Sequence, residues 1–281
     1  MTDANMKGVG DATTTRVAPA SQSPPGPPSA DEIVRNMMDP GRGTALRRRL
    51  AHHLDLTGQE ENVLAELTGP RLIVSARETV RYRDDPVDLL VLLSGAMVEQ
   101  TLDPEGRVQV DEFLLPGDIV GIRSLRLTRY CCDVRAATHC TLASLAREGV
   151  RALEGTRLGR LFDALAAAAH QRTLDRLRLV GRARADERLM HLFLELSTRQ
   201  RAIMPALGPR LWCPFPQSDL GDAVGLTNVY VSKTMTRLKE RGAITERHNV
   251  VTIDNPGHWS EYVDHEDRAA MIDLDHVRAA P

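Results

Sequence analysis

The side chains best suited to molecular recognition in this 281-residue chain fall between Gln217 and Leu238. With helical residues turning by about 100° each, Val229, Ser232, Lys233 and Thr236 share one face, flanked by Asn228 and Arg237. That face offers amide, hydroxyl, methyl and cationic groups, which suit base edges and phosphate oxygens better than they suit mere solubility. The opposite face repeats Val231, Met235 and Leu238 at i, i+4 and i+7, the stripe of a half-buried helix. Thr227 can cap this helix with its hydroxyl. Just upstream, Leu220, Ala223 and Val224 form a second short apolar stripe, and Gly225 stands where a helix must stop and reverse. Gly221 would let the two helices cross closely, and Gln217 opens the first of them as a further candidate contact. The pattern predicts a helix-turn-helix with double-stranded DNA as its partner. The competing reading is two amphipathic helices in an ordinary helical domain.

After Gly242 the run Ala243 to Ile253 predicts a two-stranded hairpin turning at His248-Asn249. Such a wing would set Arg247 and His248 against phosphate. A reader helix followed at once by a small wing resembles the CRP/FNR family of bacterial transcription regulators, and the motif order fits from about 45 to 255. The resemblance implies an α+β fold: an N-terminal β-roll of the jelly-roll, cyclic-nucleotide-binding-like type, a long dimerisation helix, and a C-terminal winged helix-turn-helix. It also implies a homodimer reading an inverted repeat, with RNA polymerase as a further partner. The reader helix departs from the cAMP-responsive pattern. Asn228 and Val229 stand where those members carry an Arg-Glu pair, and Lys233 replaces an arginine without supplying its guanidinium fork. A different operator is expected.

The elements that would position this reader divide the chain into five parts. Residues 1–43 are rich in Pro, Ser, Ala, Thr and Gly and are expected to be a disordered arm. Residues 44–156 form the sensor: a basic helix over 45–56, a Thr57-to-Glu60 capping box, then short β-rich runs at 71–76, 89–93, 96–102, 108–115 and 133–145 punctuated by turn residues. Residues 157–182 read as a long helix whose stripe of Leu158, Leu161, Phe162, Leu165 and Ala168 continues as Leu174 and Leu177. A stripe that long is expected to pack against a second copy of itself. Residues 183–256 make the winged domain and 257–281 an acidic tail.

The net charge of −2 conceals an asymmetry. Between Arg157 and Arg247 sixteen Lys/Arg face nine Asp/Glu, an excess placed where DNA is expected. No apolar stretch suits a signal peptide or a membrane span, so the sequence implies a cytoplasmic protein without membrane contact.

The sensor's ligand is less legible. Cyclic-nucleotide-binding members carry a Gly-Glu pair for the ribose and an Arg-Ser or Arg-Thr pair for the phosphate. Here Gly121 precedes Ile122 and Arg123, and Tyr130 and Cys131 meet the second pair with Arg129 just before. This argues against cAMP. An iron–sulfur centre needs clustered thiolates, and the N-terminal arm has no cysteine. Cys131, Cys132, His139 and Cys140 leave open a thiol switch or haem ligation beside plain packing. Tyr82, Arg123, Arg129, Tyr130 and Cys131 are the candidate effector-pocket residues. No metal-ligand set and no catalytic group is evident. An enzyme built on a jelly roll, as cupins are, would need several histidines on adjacent strands, and none lies between His53 and His139. The remaining alternative is an interaction module that has lost DNA binding.

Overall fold

The apolar runs between Thr68 and Leu145 become two four-stranded antiparallel sheets in the computed structural model, which describes residues 28–38, 45–263 and 272–279. In chain order the strands are β1 (Thr68–Val74), β2 (Thr79–Arg81), β3 (Leu89–Ser94), β4 (Met97–Leu102), β5 (Val108–Leu114), β6 (Ile119–Val120), β7 (Asp133–Ala136) and β8 (Cys140–Leu145). They order as β1-β8-β3-β6 and β2-β7-β4-β5, a β-roll. β3 is Leu-Leu-Val-Leu-Leu-Ser and buried throughout, as befits a strand covered on both faces. The run expected as one strand over 133–145 is broken. Ala137 and Thr138 both donate their amides to the Ala96 carbonyl, turning the chain from one sheet to the other between β7 and β8.

The helices flanking the roll start where their caps dictate. Thr57 and Glu60 exchange side-chain-to-backbone bonds of 3.2 and 2.8 Å at the head of α3 (Gly58–Leu67). The preceding helix, α2 (Ala45–Ala51), stops five residues short of the expected Leu56. A short α4 (Arg147–Ala152) leads into α5 (Arg157–Arg182), capped by the Thr156 hydroxyl accepting from the Gly159 amide. Next come α6 (Ala185–Ile203), β9 (Arg210–Trp212), α7 (Gln217–Val224), α8 (Asn228–Glu240), β10 (Ile244–Arg247) and β11 (Val250–Ile253). β11 pairs with both β10 and β9, so the wing is a three-stranded sheet.

One correction concerns the N-terminus. Residues assigned to a disordered arm include α1 (Ala30–Met38), whose Ile33 and Met37 are buried, one helical turn apart, against β9 and β11. The arm positions 1–27 and 39–43 lie outside the described residues. The acidic tail contributes α9 (Pro256–Tyr262) beside α6, and α10 (Leu274–Arg278), whose Val277 enters the roll core with Ile272.

The core is two apolar clusters, and the division does not follow the domain boundary. One fills the roll and takes in Leu158, Leu161 and Phe162 of α5. The other fills the winged domain and reaches into the roll through Val98, Val110, Phe113 and Leu115. The winged domain is therefore seated on the β4–β5 side of its own roll. At about 1.5–3 kcal/mol for each large buried apolar side chain, this seam is a substantial part of the fold's stability.

Candidate nucleic-acid interface and sensor cavity

The reader is built as a crossing of two short helices. Gly225 ends α7 in the left-handed conformation (φ 67°), which a glycine adopts without strain. Thr227 then caps α8, its Oγ1 accepting from the Tyr230 amide at 3.3 Å. A Cβ at Gly221 would sit 2.4 Å from the Leu226 carbonyl oxygen and 3.3 Å from Val231 Cγ2, so only glycine allows this crossing. Val231, Thr234, Met235 and Leu238 are buried. Gln217, Thr227, Asn228, Val229, Ser232, Lys233, Thr236, Arg237 and Arg247 are all exposed, as nucleic-acid contacts must be.

Tyr230 escaped the sequence reading. It lies exposed at the start of α8 with the Arg237 guanidinium 5.8 Å from its ring centre, a cation–π pair that positions the cation. The wing turns through His248 and Asn249, both at positive φ (49° and 60°), as a two-residue hairpin with matching twist requires. Lys239 and Glu246 form an ion pair that ties the end of α8 to the wing.

Beneath the reader lies a buried ionic cluster that no sequence pattern announced. Glu112 of β5 accepts from Arg199 of α6 at 2.9 Å and from Arg172 of α5 at 3.0 Å. Glu195 of α6 pairs with Arg199 and Arg176, each at 3.2 Å, and Asp118 with Arg49 of α2 at 3.0 Å. Burial by itself would raise the Glu112 carboxyl, but the guanidinium groups of Arg172, Arg199, Arg176 and Arg123 prevail and hold it well below the usual carboxylate range. The roll, the long helix and the first helix of the winged domain are joined through these charges. Arg135 of β7 adds a bridge of 2.8 Å to Asp219 on α7.

The same charges border a cavity of about 50 Å³ between the roll and α5, lined by Arg49, Glu99, Asp118, Arg123, Ala168 and Arg172 among others. Ligand pockets commonly measure about 300–1,000 Å³, so this space suits a few waters. Glu99 is buried beside Arg123 at 3.1 Å, and burial pushes its carboxyl up to about 7 against the pull of that guanidinium.

Of the five effector-pocket candidates, Arg123 alone lines this cavity. Tyr82 and Arg129 are exposed, Arg129 donating to the Asp84 carbonyl at 2.6 Å. Tyr130 is buried but bonded to Asp88, and burial raises its hydroxyl's pKa. Cys131 lies beside Ser124 and Cys132. These residues do not assemble into one pocket. Among the described residues no three His, Cys, Asp or Glu are grouped to hold a metal ion.

The dimer-interface candidates also divide. Leu158, Leu161, Phe162 and Ala168 are buried within the protomer and Leu165 is half-buried, because the first half of α5 lies on its own roll. Leu174 and Leu177 are exposed, at 49% and 67%, and Val180 extends their stripe. Of the apolar stripe, only the second half of the helix leaves large side chains exposed.

A β-roll joined by one long helix to a winged helix-turn-helix defines a DNA-binding regulator of the two-domain type. Residues 71–156 match the family model of the cyclic nucleotide-binding domain, and residues 187–258 match that of the Crp-like helix-turn-helix domain. The nitrogen fixation regulation protein FixK of Azorhizobium caulinodans is 31% identical over 222 residues, 78% of this chain and 87% of its own length. The transcriptional activator protein FnrL of Cereibacter sphaeroides is 29% identical over 197 residues, 63% of this chain and 74% of its own. The solved structure of FixK2 from Bradyrhizobium japonicum superposes with a TM-score of 0.61 at 23% identity, covering 68% of this chain and 96% of that one, which shows the shared fold. The chain belongs to the CRP/FNR family of transcription regulators. Its relatives regulate transcription, so the enzyme reading is set aside. No helix among the described residues is long and apolar enough to cross a membrane.

Proposed function

We propose that this regulator acts in the cytoplasm as a homodimer that reads an inverted-repeat operator and works with RNA polymerase. The observation that carries the reading is the exposed face of α8, where Asn228, Val229, Ser232, Lys233, Thr236 and Arg237 stand clear of the protein beside the wing. A single reader helix spans only a few base pairs, and the exposed Leu174, Leu177 and Val180 provide an apolar stripe for a second copy. Two such helices about a twofold axis meet half-sites one helical turn apart.

The signal enters at the roll. The cavity between the roll and α5 supports a mechanism without a cyclic nucleotide bound at that place, since Arg123 is committed to Glu99 and the free volume there is about 50 Å³. A shift in the Glu112 cluster would move α6 and hence α8, a population shift between two arrangements of the domain.

Selection of bound sequences from a random duplex pool tests the proposal. Enrichment of an inverted repeat, bound with a steep loss of affinity between two salt concentrations, is the expected result. A single unpaired half-site, or no enrichment at any salt, would overturn the dimeric reader and favour an interaction module.

A further inference from the structure

Cys131 and Cys132 are neighbours in the chain whose sulfurs lie 3.9 Å apart, on the segment entering β7. The Ser124 Oγ is 3.6 Å from Cys131 Sγ, and Arg123, one residue earlier, holds a guanidinium close enough to attract a thiolate there. Cys131 is half-buried and follows the exposed stretch 126–129, whereas Cys132 is buried. The remaining two cysteines have different surroundings. Cys140 lies against the Ala96 and Thr138 carbonyls with its thiol raised by burial, and the Cys213 thiol is pushed up to about 12 by burial. Packing alone would call for nothing beyond such buried seats.

We propose that Cys131 and Cys132 form a peroxide-reactive dithiol, with Cys131 as the attacking sulfur and Cys132 as the resolving one, closing reversibly to a disulfide between adjacent residues. The Cys131 thiolate attacks the distal, hydroxyl-bearing oxygen of a hydroperoxide and displaces the proximal one. The oxygen–oxygen bond breaks, Cys131 becomes a sulfenic acid, and the alkoxide or hydroxide leaves to be protonated. The Cys132 thiol, losing its proton, then attacks the Cys131 sulfur and the hydroxyl leaves as water. Two thiols are oxidised by two electrons and one peroxide is reduced. A bond of roughly 2.0 Å draws the sulfurs together and takes Cys131 away from Ser124. It also removes a negative charge beside Arg123, whose partner Glu99 borders the cavity against α5.

Contact with Cys132 foremost, together with Ser124 and Arg123, lowers the Cys131 thiol against the opposing effect of burial, and the same contact together with burial raises the Cys132 thiol. Ionisation makes a cysteine nucleophilic, and a partner within reach decides whether the sulfenic acid persists. The site does not depend on the DNA-binding reading. Its chemistry can be followed on the full chain without any operator.

Trypsin releases the pair as Tyr130–Arg135, separate from the peptides carrying Cys140 and Cys213. Native protein is treated with stoichiometric hydrogen peroxide at pH 6, quenched with iodoacetamide, digested and weighed. The expected outcome is a Tyr130–Arg135 peptide that has lost two hydrogens, resists alkylation and is restored by dithiothreitol. It should form about tenfold faster than in the urea-unfolded chain. In Cys132→Ser, dimedone should capture a sulfenic acid on Cys131. A wild-type peptide alkylated as fully as those of Cys140 and Cys213 would overturn the proposal. So would a sulfenic acid on Cys131 that persists while Cys132 is intact. Both of these outcomes are read on the wild type, so a folding defect in the variant leaves the test in force.

Discussion

Arg199 Nη1 on α6 lies 2.9 Å from Glu112 Oε1 on β5, a buried contact joining the winged domain to the roll. The same guanidinium also reaches Glu195, Asp118 and the Phe113 carbonyl. At the next residue along β5, Phe113 meets Phe215 edge to face with ring centres 4.4 Å apart. Charge and apolar contact thus act at one seam, and any signal that alters the roll at β5 is felt at the first helix of the reader domain.

Glu112→Gln leaves Arg172 and Arg199 facing a neutral amide in a buried site, which costs about 3–5 kcal/mol at neutral pH. The sign with pH follows from the depressed carboxyl. Its contribution is fully present above the unfolded value of 4.5 and is lost as pH falls through the lower folded value. Urea unfolding of both proteins at several pH values should show the gap between them wide at pH 7 and narrowing below about 4.5. A gap constant with pH would contradict the ionised, paired state of Glu112.

Lys233 stands on the exposed face of α8, its ammonium free to reach a guanine edge or a phosphate. Lys233→Ala should weaken binding to the selected operator by about tenfold. Fluorescence anisotropy at two salt concentrations provides the measurement. Unchanged affinity would place the reading face elsewhere.

Leu177 is 67% exposed on the second half of α5, while Leu161 is fully buried in the roll core. Leu177→Asp should leave the protomer folded and shift the sedimenting species from dimer to monomer, because the charge would need desolvation at an apolar seam. A dimer that survives this change would have its contact on another surface.

Gly221→Ala puts a methyl 2.4 Å from a backbone carbonyl that cannot move without opening the turn. A loss of about 1–3 kcal/mol is expected, read by thermal unfolding. Gly106→Ala in the 103–106 turn meets no atom within 4 Å, although its φ of +79° still carries strain. Equal stability of Gly221→Ala and wild type would mean that the helices do not cross as closely as described.

Ile33 is fully buried although it belongs to the N-terminal arm. Ile33→Ala should cost about 2–5 kcal/mol if α1 is part of the fold in solution. Guanidinium unfolding with a stability unchanged from wild type would show the helix detached.

Local signals were legible wherever a few neighbouring residues determine the backbone. The Thr57 and Glu60 box, Gly225, the Thr227 cap and the His248-Asn249 hairpin each appear as the sequence implied, because each is an interaction within a handful of residues. The same chemistry could have revealed α1. Ser29 and Glu32 exchange bonds of 3.3 and 2.7 Å as a capping box ahead of Ile33 and Met37, but the Pro-rich residues before them dominated the composition. Strands β2 and β6, of three and two residues, are too short to show a period.

The amphipathic stripe of α5 shows where sequence information ends. Periodicity identifies an apolar side, yet it carries no label for the partner, and the roll claims Leu158, Leu161 and Phe162 while Leu174 and Leu177 remain outside. The ionic cluster goes further, since Arg49, Glu112, Arg172, Arg176, Glu195 and Arg199 come from α2, β5, α5 and α6. By itself the sequence determined the order of elements, the reader face and the family, all written in spacing along the chain. Only the tertiary structure decided which charges share a low-dielectric interior and which apolar side chains stay exposed, because burial and pairing depend on elements far apart in sequence.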